Sequence, residues 1–355
     1  MNHPADTRAT LDSAEYLDYR RRVGDRQLLW ENNGWSVRGT WGGQEALLWV
    51  SGYLLKGFPG GPFALDSAAV NQSMLVTADP DGRLGDNDFL SRGWSAGDLL
   101  PSSAWRVEPR DGAVVWSGPG RTIVSAPPAW HISGDHAGIE VDLDIAAAHD
   151  AVVWLTDPRQ DLEHRQDRWF LVGGTAGGQL AARGAAGRLD GHAVHERHIH
   201  LGTAYDPVTL LRTGGVTWHT GHSAELSYAV LARPAHHRYW GMLTLDGHSF
   251  DLSGADQVRT EVTATWPDPR TGTTVPSRWS LRLSGPFGTL QVDTTARARA
   301  FYCWDYLTGG STLLYWWLCS SRGTLHRPAG GTRTLTGLRS EAHLNRTVDD
   351  EWRIR

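Results

Sequence analysis

Lysine is almost missing from this chain of 355 residues: Lys56 is the only one, and arginine supplies the other basic side chains. That bias reflects a GC-rich coding sequence more than a function. Cysteine is scarce as well, and neither Cys303 nor Cys319 stands in a C-x-x-C pair, which argues against a disulfide framework or a cysteine-rich zinc site. Both thiols are expected to pack as small apolar groups. No apolar run approaches the ~18 residues of a membrane-spanning helix, and residues 1–10 lack the basic and apolar regions of a secretory signal, so a cytoplasmic location is expected. There is no basic excess: the formal net charge is −5, against the positive patch of a phosphate-tracking nucleic-acid binder. Phosphate-cradling glycine patterns are missing too. The expected partner is a small hydrophobic molecule, with no nucleic acid and no membrane span, and the chain is expected to be a monomer or homodimer.

What is present is a globular composition, 40% hydrophobic and 21% charged, in a chain long enough for two domains. Alternation of apolar and polar residues dominates. Ile139, Val141, Leu143 and Ile145 interleave with Glu140, Asp142 and Asp144; Leu226, Tyr228 and Val230 with Ser227 and Ala229; Trp279, Leu281 and Leu283 with Ser280, Arg282 and Ser284. Period two marks half-buried strands. Turn clusters at 79–82, 109–112, 189–191, 245–247 and 268–272 each hold Asp and Gly, with Pro in 79–82, 109–112 and 268–272, so the class is all-β. The run 313–319 reads as a strand buried on both faces. Residues 11–23 read as a short helix, with Asp12 or Ser13 as N-cap and Arg20 to Arg22 in the last turn, and 158–168 as a polar helix or loop. The Gly/Ala-rich stretch 173–187 is the expected junction. It gives an N-terminal helical segment, 1–24, and two β domains, 25–178 and 179–355.

Two features carry chemistry. The decapeptide Gly191-His192-Ala193-Val194-His195-Glu196-Arg197-His198-Ile199-His200 packs four imidazoles, a carboxylate and a guanidinium into one strand. Alternation puts His195, Arg197 and Ile199 on one face and Glu196, His198 and His200 on the other. Histidine titrates near neutrality and serves as acid, base or metal ligand. The plainer reading is a polar outer strand of solvated histidines. The 18 tryptophans exceed what core filling asks for, because each buried indole N–H needs a partner, so some are expected to line a cavity.

The decapeptide resembles the G-x-G-x-H-D-x-N-W-G type motif of the lipocalin-like superfamily of carotenoid 1,2-hydratases, AttH-like proteins and fungal decalin-forming Diels–Alderases. Gly191, Ala193, His195 and Glu196 fall on its Gly, small, His and acidic positions and His198 on its Asn, whereas Ile199 and His200 replace Trp-Gly. Residues 265–268, 275–281, 288–292 and 336–341 are similar to the superfamily's C-terminal W-x-S/P-x-x-T-G-x-x-x-P-x-x-W stretch and closing T-G-x-x-x-E strand. The resemblance implies two lipocalin-like β-barrel or sandwich domains, with a ligand cavity in one barrel or between them.

It also implies a hydrophobic, often polyene, substrate. In the cyclase branch the protein folds a linear precursor and closes a ring without a cofactor, since ordering the reactants can remove ~7–11 kcal/mol of barrier. On that reading Trp218, Trp240, Trp279 and Trp304 wall the cavity, Tyr53 and Tyr302 supply hydroxyl donors, and Asn71 or Gln72 orients the ligand. His195 or Arg197 polarises a substrate carbonyl, Glu196 or Glu341 orients that donor, and His219 points into the same cavity. The hydratase branch would instead protonate an alkene through His195, Glu196 or Asp305 and add water. A carrier would bind and release its cargo unchanged. His198 and His200 form an H-x-H pair compatible with zinc, with Glu196 or His222 to complete it.

Overall fold

The computed structural model describes residues 8–9, 29–56, 67–78, 84–86, 88–90, 99–148, 151–155, 165–202, 215–234, 237–305 and 311–348. The expected helix at 11–23 and the turn at 79–82 lie outside the described residues, as does most of 158–168, of which 165–168 opens a strand. Among the described residues the regular structure is β apart from one short 3-10 turn, Ser102–Ala104. No helix among them is long and apolar enough to cross a membrane.

The strands form two antiparallel-dominated sheets, each belonging mainly to one of two compact units, Met1–Leu75 with Phe89–Asp206 and Val76–Asp88 with Pro207–Arg355. The central path of the first sheet runs Ser67–Thr77, Gln44–Lys56, Leu29–Trp41, Ala185–Gly202, Arg165–Ala182, Ile139–Ala147 and Ala129–His136, and continues through Arg121–Ala126 and Ala113–Gly118 to Arg106–Arg110. That of the second runs Leu226–Arg233, Val216–His222, Arg339–Val348, Ser311–His326, Gly288–Asp305 and Thr274–Gly285. The outermost strand Val258–Pro267 carries Arg259 and Glu261 and a register shift near Val262, devices that discourage edge pairing.

Sequence periodicity converts directly into burial. Residues 139–146 alternate buried and exposed without a break, and 313–319 are buried throughout. The Asp-Gly turns at 111–112 and 245–247 close tight hairpins in which both central residues adopt positive φ, 49° and 80° at Asp111–Gly112, 50° and 78° at Asp246–Gly247. This geometry matches the strand twist and favours Gly at the second position.

The stretch 173–187 is not a junction. It forms the hairpin between Arg165–Ala182 and Ala185–Gly202, closed by Arg183–Gly184, in the middle of the first sheet. The chain leaves the first unit after Asp206, so the division falls later than the expected 178/179 boundary, and residues 76–88 join the second unit. The glycines serve close strand approach: a Cβ at Gly174 or Gly178 would stand 2.2 Å or 2.0 Å from the carbonyl oxygen of Ala146 or Asp142. Residues 189–191 are likewise strand interior and not a turn. A Cβ at Gly191 would lie 2.3 Å from the Arg38 carbonyl oxygen.

Candidate functional site

The histidine strand Ala185–Gly202 lies between Leu29–Trp41 and Arg165–Ala182, in a register that sets His195 opposite Trp35 and Arg197 opposite Asn33. Residues directly opposite share a face. Glu31, Asn33, Trp35 and Val37 therefore line the same inner face as His195 and Arg197, and all six are buried. Apolar side chains of the first unit, including Val50, Ile132 and Ile145, pack in the core with Trp35. Glu196 points to the opposite face, where it accepts a hydrogen bond from the Asn32 amide at 3.2 Å. The alternation expected for 195–197 holds, and a solvated outer strand is excluded for His195 and Arg197.

The environment of His195 defines its chemistry. Trp35 stacks on the imidazole with ring centroids 4.5 Å apart and planes 13° from parallel. Trp130, from Ala129–His136, leans on it at 4.9 Å and 50°. Nδ1 lies 3.1 Å from the Gly34 carbonyl oxygen. A carbonyl only accepts, so Nδ1 carries the proton, and Nε2 has no hydrogen-bond partner among the described residues. Burial, with Arg197 nearby, drives the pKa down to about 3 against the pull of the Gly34 bond. The ring is therefore neutral at pH 7, with a bare lone pair on Nε2. The expectation that His195 polarises a carbonyl by donation is corrected: its free nitrogen can only accept.

Arg197 is committed to a carboxylate the sequence reading missed. Its guanidinium donates to Glu31 Oε1 at 2.7 Å, with both side chains 1% exposed. Glu196, by contrast, lies on the other face of the strand. Two indole donors stand beside this face: among the described residues Trp35 Nε1 and Trp130 Nε1 have no acceptor, and Ser125 Oγ, directly across from Trp130, has no partner. Each buried orphan costs about 1–3 kcal/mol, and such groups are the ones that call for a ligand, a water or a catalytic role.

The other expected site residues distribute as follows. Asn71 donates to the Pro119 carbonyl oxygen at 2.7 Å and leaves Oδ1 without a partner. Gln72 accepts from Trp49 Nε1 at 2.7 Å and Ser51 Oγ at 3.0 Å. Tyr53 is buried opposite Asn32, on the face away from Trp35. The strand Gly288–Asp305 contains Tyr302, Trp304 and Asp305, whose side chains lie outside the described set, as do those of His198 and His200. Among the described residues no group of three His, Cys, Asp or Glu side chains could hold a metal ion.

His219, Trp218, Trp240, Trp279 and Glu341 belong to the second unit, so the structure does not gather them with His195 in one unit. His219 meets the edge of Trp279 at 5.7 Å; Trp279 in turn meets Trp317 at 5.3 Å. Burial, then the neighbouring His343, lowers the His219 pKa to about 3. Trp218 and Thr220 lie on the opposite face of that strand; Trp218 pairs across from His343 and Thr220 from Glu341. There Thr220 Oγ1 donates to Glu341 Oε1 at 2.8 Å, and His343 Nε2 stands 3.6 Å from Glu341 Oε2. Trp240 is half-buried opposite Leu231.

The 265–281 motif is architectural. Asp268 accepts from the backbone N–H of Arg270 at 2.9 Å, and Arg299 donates to both its oxygens at 2.8 Å and 2.6 Å. Tyr315 donates to the same carboxylate at 3.1 Å. Asp268 and Arg299 are fully buried side chains, so this bidentate pair pins the hairpin turn to the next strands.

No family model matches the sequence, and no curated protein does. Solved structures match in fold. An AttH-like protein from Nitrosomonas europaea superposes with a TM-score of 0.54 at 14% identity, covering 97% of this chain and 99% of that one. Kievitone hydratase from Nectria haematococca gives 0.50 at 11%, with 90% and 88% covered. CghA, solved with Sch210972, gives 0.52 at 14%, with 91% and 89% covered. Identities this low carry the fold alone. In fold, this chain is a two-unit, lipocalin-like all-β protein of the kind seen in these structures.

Proposed function

We propose that the chain is a cofactor-independent cyclase of natural-product biosynthesis that closes a ring in a hydrophobic, polyene or polyketide-type substrate, by a Diels–Alder or hetero-Diels–Alder type step. The observation that carries this reading is the inner face of the first unit, where two indoles flank a neutral imidazole and keep their N–H groups without acceptors. Rigid aromatic walls hold a flexible chain in a reactive pose. Indole N–H donors in a dry interior stabilise charge that builds on a carbonyl oxygen as the bonds form. CghA, with which the chain shares its fold, was solved with Sch210972.

A second reading, hydration of an alkene, draws on the buried Glu341 carboxyl beside Thr220 and His343 and on the fold shared with kievitone hydratase. His195 does not suit the role of acid, because its ring carries no spare proton at pH 7. The test is to delete the gene in the source organism, collect the accumulated precursor and incubate it with the purified protein. Cyclisation yields a product of unchanged mass with fewer double bonds. A product heavier by one water supports hydration, and recovery of unchanged precursor bound to the protein supports a carrier; either result refutes the cyclase.

A further inference from the structure

Four unpartnered polar atoms of the first unit belong to side chains that follow one another in space. Trp35 and His195 are cross-strand neighbours in stacking contact, His195 touches Trp130, and Trp130 sits directly across from Ser125. Along this path Trp35 Nε1, His195 Nε2, Trp130 Nε1 and Ser125 Oγ all lack partners among the described residues, and Trp35, His195, Trp130 and Ser125 are at most 3% exposed. Their hydrogen-bonding senses differ. The two indoles can only donate, the hydroxyl can do either, and the imidazole can only accept, because its one proton is held by the Gly34 carbonyl.

A purely hydrocarbon ligand would leave all four atoms unpaired, and a simple ketone would leave Nε2 unpaired. We propose that this inner face is a binding site for an apolar molecule bearing both an O–H donor and a carbonyl acceptor, an enolised dicarbonyl, a hydroxy-ketone or an acyl phenol. Its O–H donates to His195 Nε2 while its carbonyl oxygen accepts from the Trp35 and Trp130 indoles. The inference rests on the reading of this face as the substrate site and narrows the substrate to one class. It also reassigns His195 from an electrophile to an acceptor, which draws on the substrate's hydroxyl proton, leaves more electron density on the oxygen and so makes the attached π-system richer in electrons.

The experiment compares three aromatic probes, naphthol, its methyl ether and hydroxyacetonaphthone, by titration calorimetry with the full chain. The native protein is expected to prefer naphthol over the ether by about three- to tenfold, the reach of one net hydrogen bond, and to bind hydroxyacetonaphthone more tightly still. His195→Phe keeps the flat ring against Trp35 and should abolish the preference for naphthol. Trp35→Phe should retain that preference and lose the gain from the carbonyl. Independently of any variant, nitrogen-15 spectra of the native protein should show Nε2 of His195 as an unprotonated, pyridine-type nitrogen that shifts on adding naphthol and not on adding the ether. Equal affinities for naphthol and ether, or a proton found on Nε2, would overturn this inference while leaving an apolar substrate site intact. Failure of all three probes to bind overturns the inference together with the site.

Discussion

Acid should unfold this protein through its two buried imidazoles. His195 and His219 each have a folded-state pKa of about 3, whereas an unfolded histidine titrates near 6.5. The sign follows from linkage: between those values the unfolded chain binds protons that the folded chain refuses, so stability is fully present above about pH 6.5 and is lost as pH falls toward 3. Each group contributes a slope of about 1.4 kcal/mol per pH unit in that window. From pH 6.5 to pH 5 the pair should therefore remove roughly 3 kcal/mol, a large share of a typical 5–15 kcal/mol. Urea unfolding at fixed pH values, followed by tryptophan fluorescence, reads this as a falling midpoint. His195→Phe removes one of the two titrating groups, so its midpoint should fall about half as steeply over the same range. A variant whose pH dependence matches the native protein would refute the buried, neutral state of His195.

Three further outcomes follow from the same geometry. Glu31→Gln should destabilise the first unit by about 3–5 kcal/mol, because Arg197 would be left buried beside an uncharged amide; the double variant Glu31→Gln with Arg197→Met should recover part of that loss in urea unfolding. Asp268→Asn should cost a similar amount by stranding Arg299, whereas Tyr315→Phe, which removes a single hydrogen bond, should cost about 0.5–1.5 kcal/mol; thermal melts compare the two. Gly191→Ala should abolish soluble expression, since its methyl group meets the Arg38 carbonyl at 2.3 Å, and a soluble, normally melting Gly191→Ala protein would contradict the strand register.

How far the sequence could be read depends on the range of the interaction. Local alternation sufficed for 139–146 and 313–319, and Asp-Gly pairs marked the turns at 111–112 and 246–247, because these are decided by neighbours along the chain. It also put His195 and Arg197 on one face. What alternation cannot supply is the strand across the ladder: Trp35 and Gly34, which fix the ring and the tautomer of His195, lie about 160 residues away in sequence. Glu31, Asn33 and Trp35 do alternate within one short segment, a pattern that was visible, but nothing local tied it to Arg197. The glycines of 173–187 misled for a related reason. Their lack of side chains looked like a linker, while in three dimensions it lets strands approach more closely than a methyl group allows.

The most direct test of the account is a crystal structure of the protein with trans-parinaric acid, a linear conjugated polyene. The polyene is expected against Trp35, His195 and Trp130 on the inner face of the first unit. Density for it elsewhere, with those three rings packed as they are without it, would contradict the claim that this face is where the substrate is held.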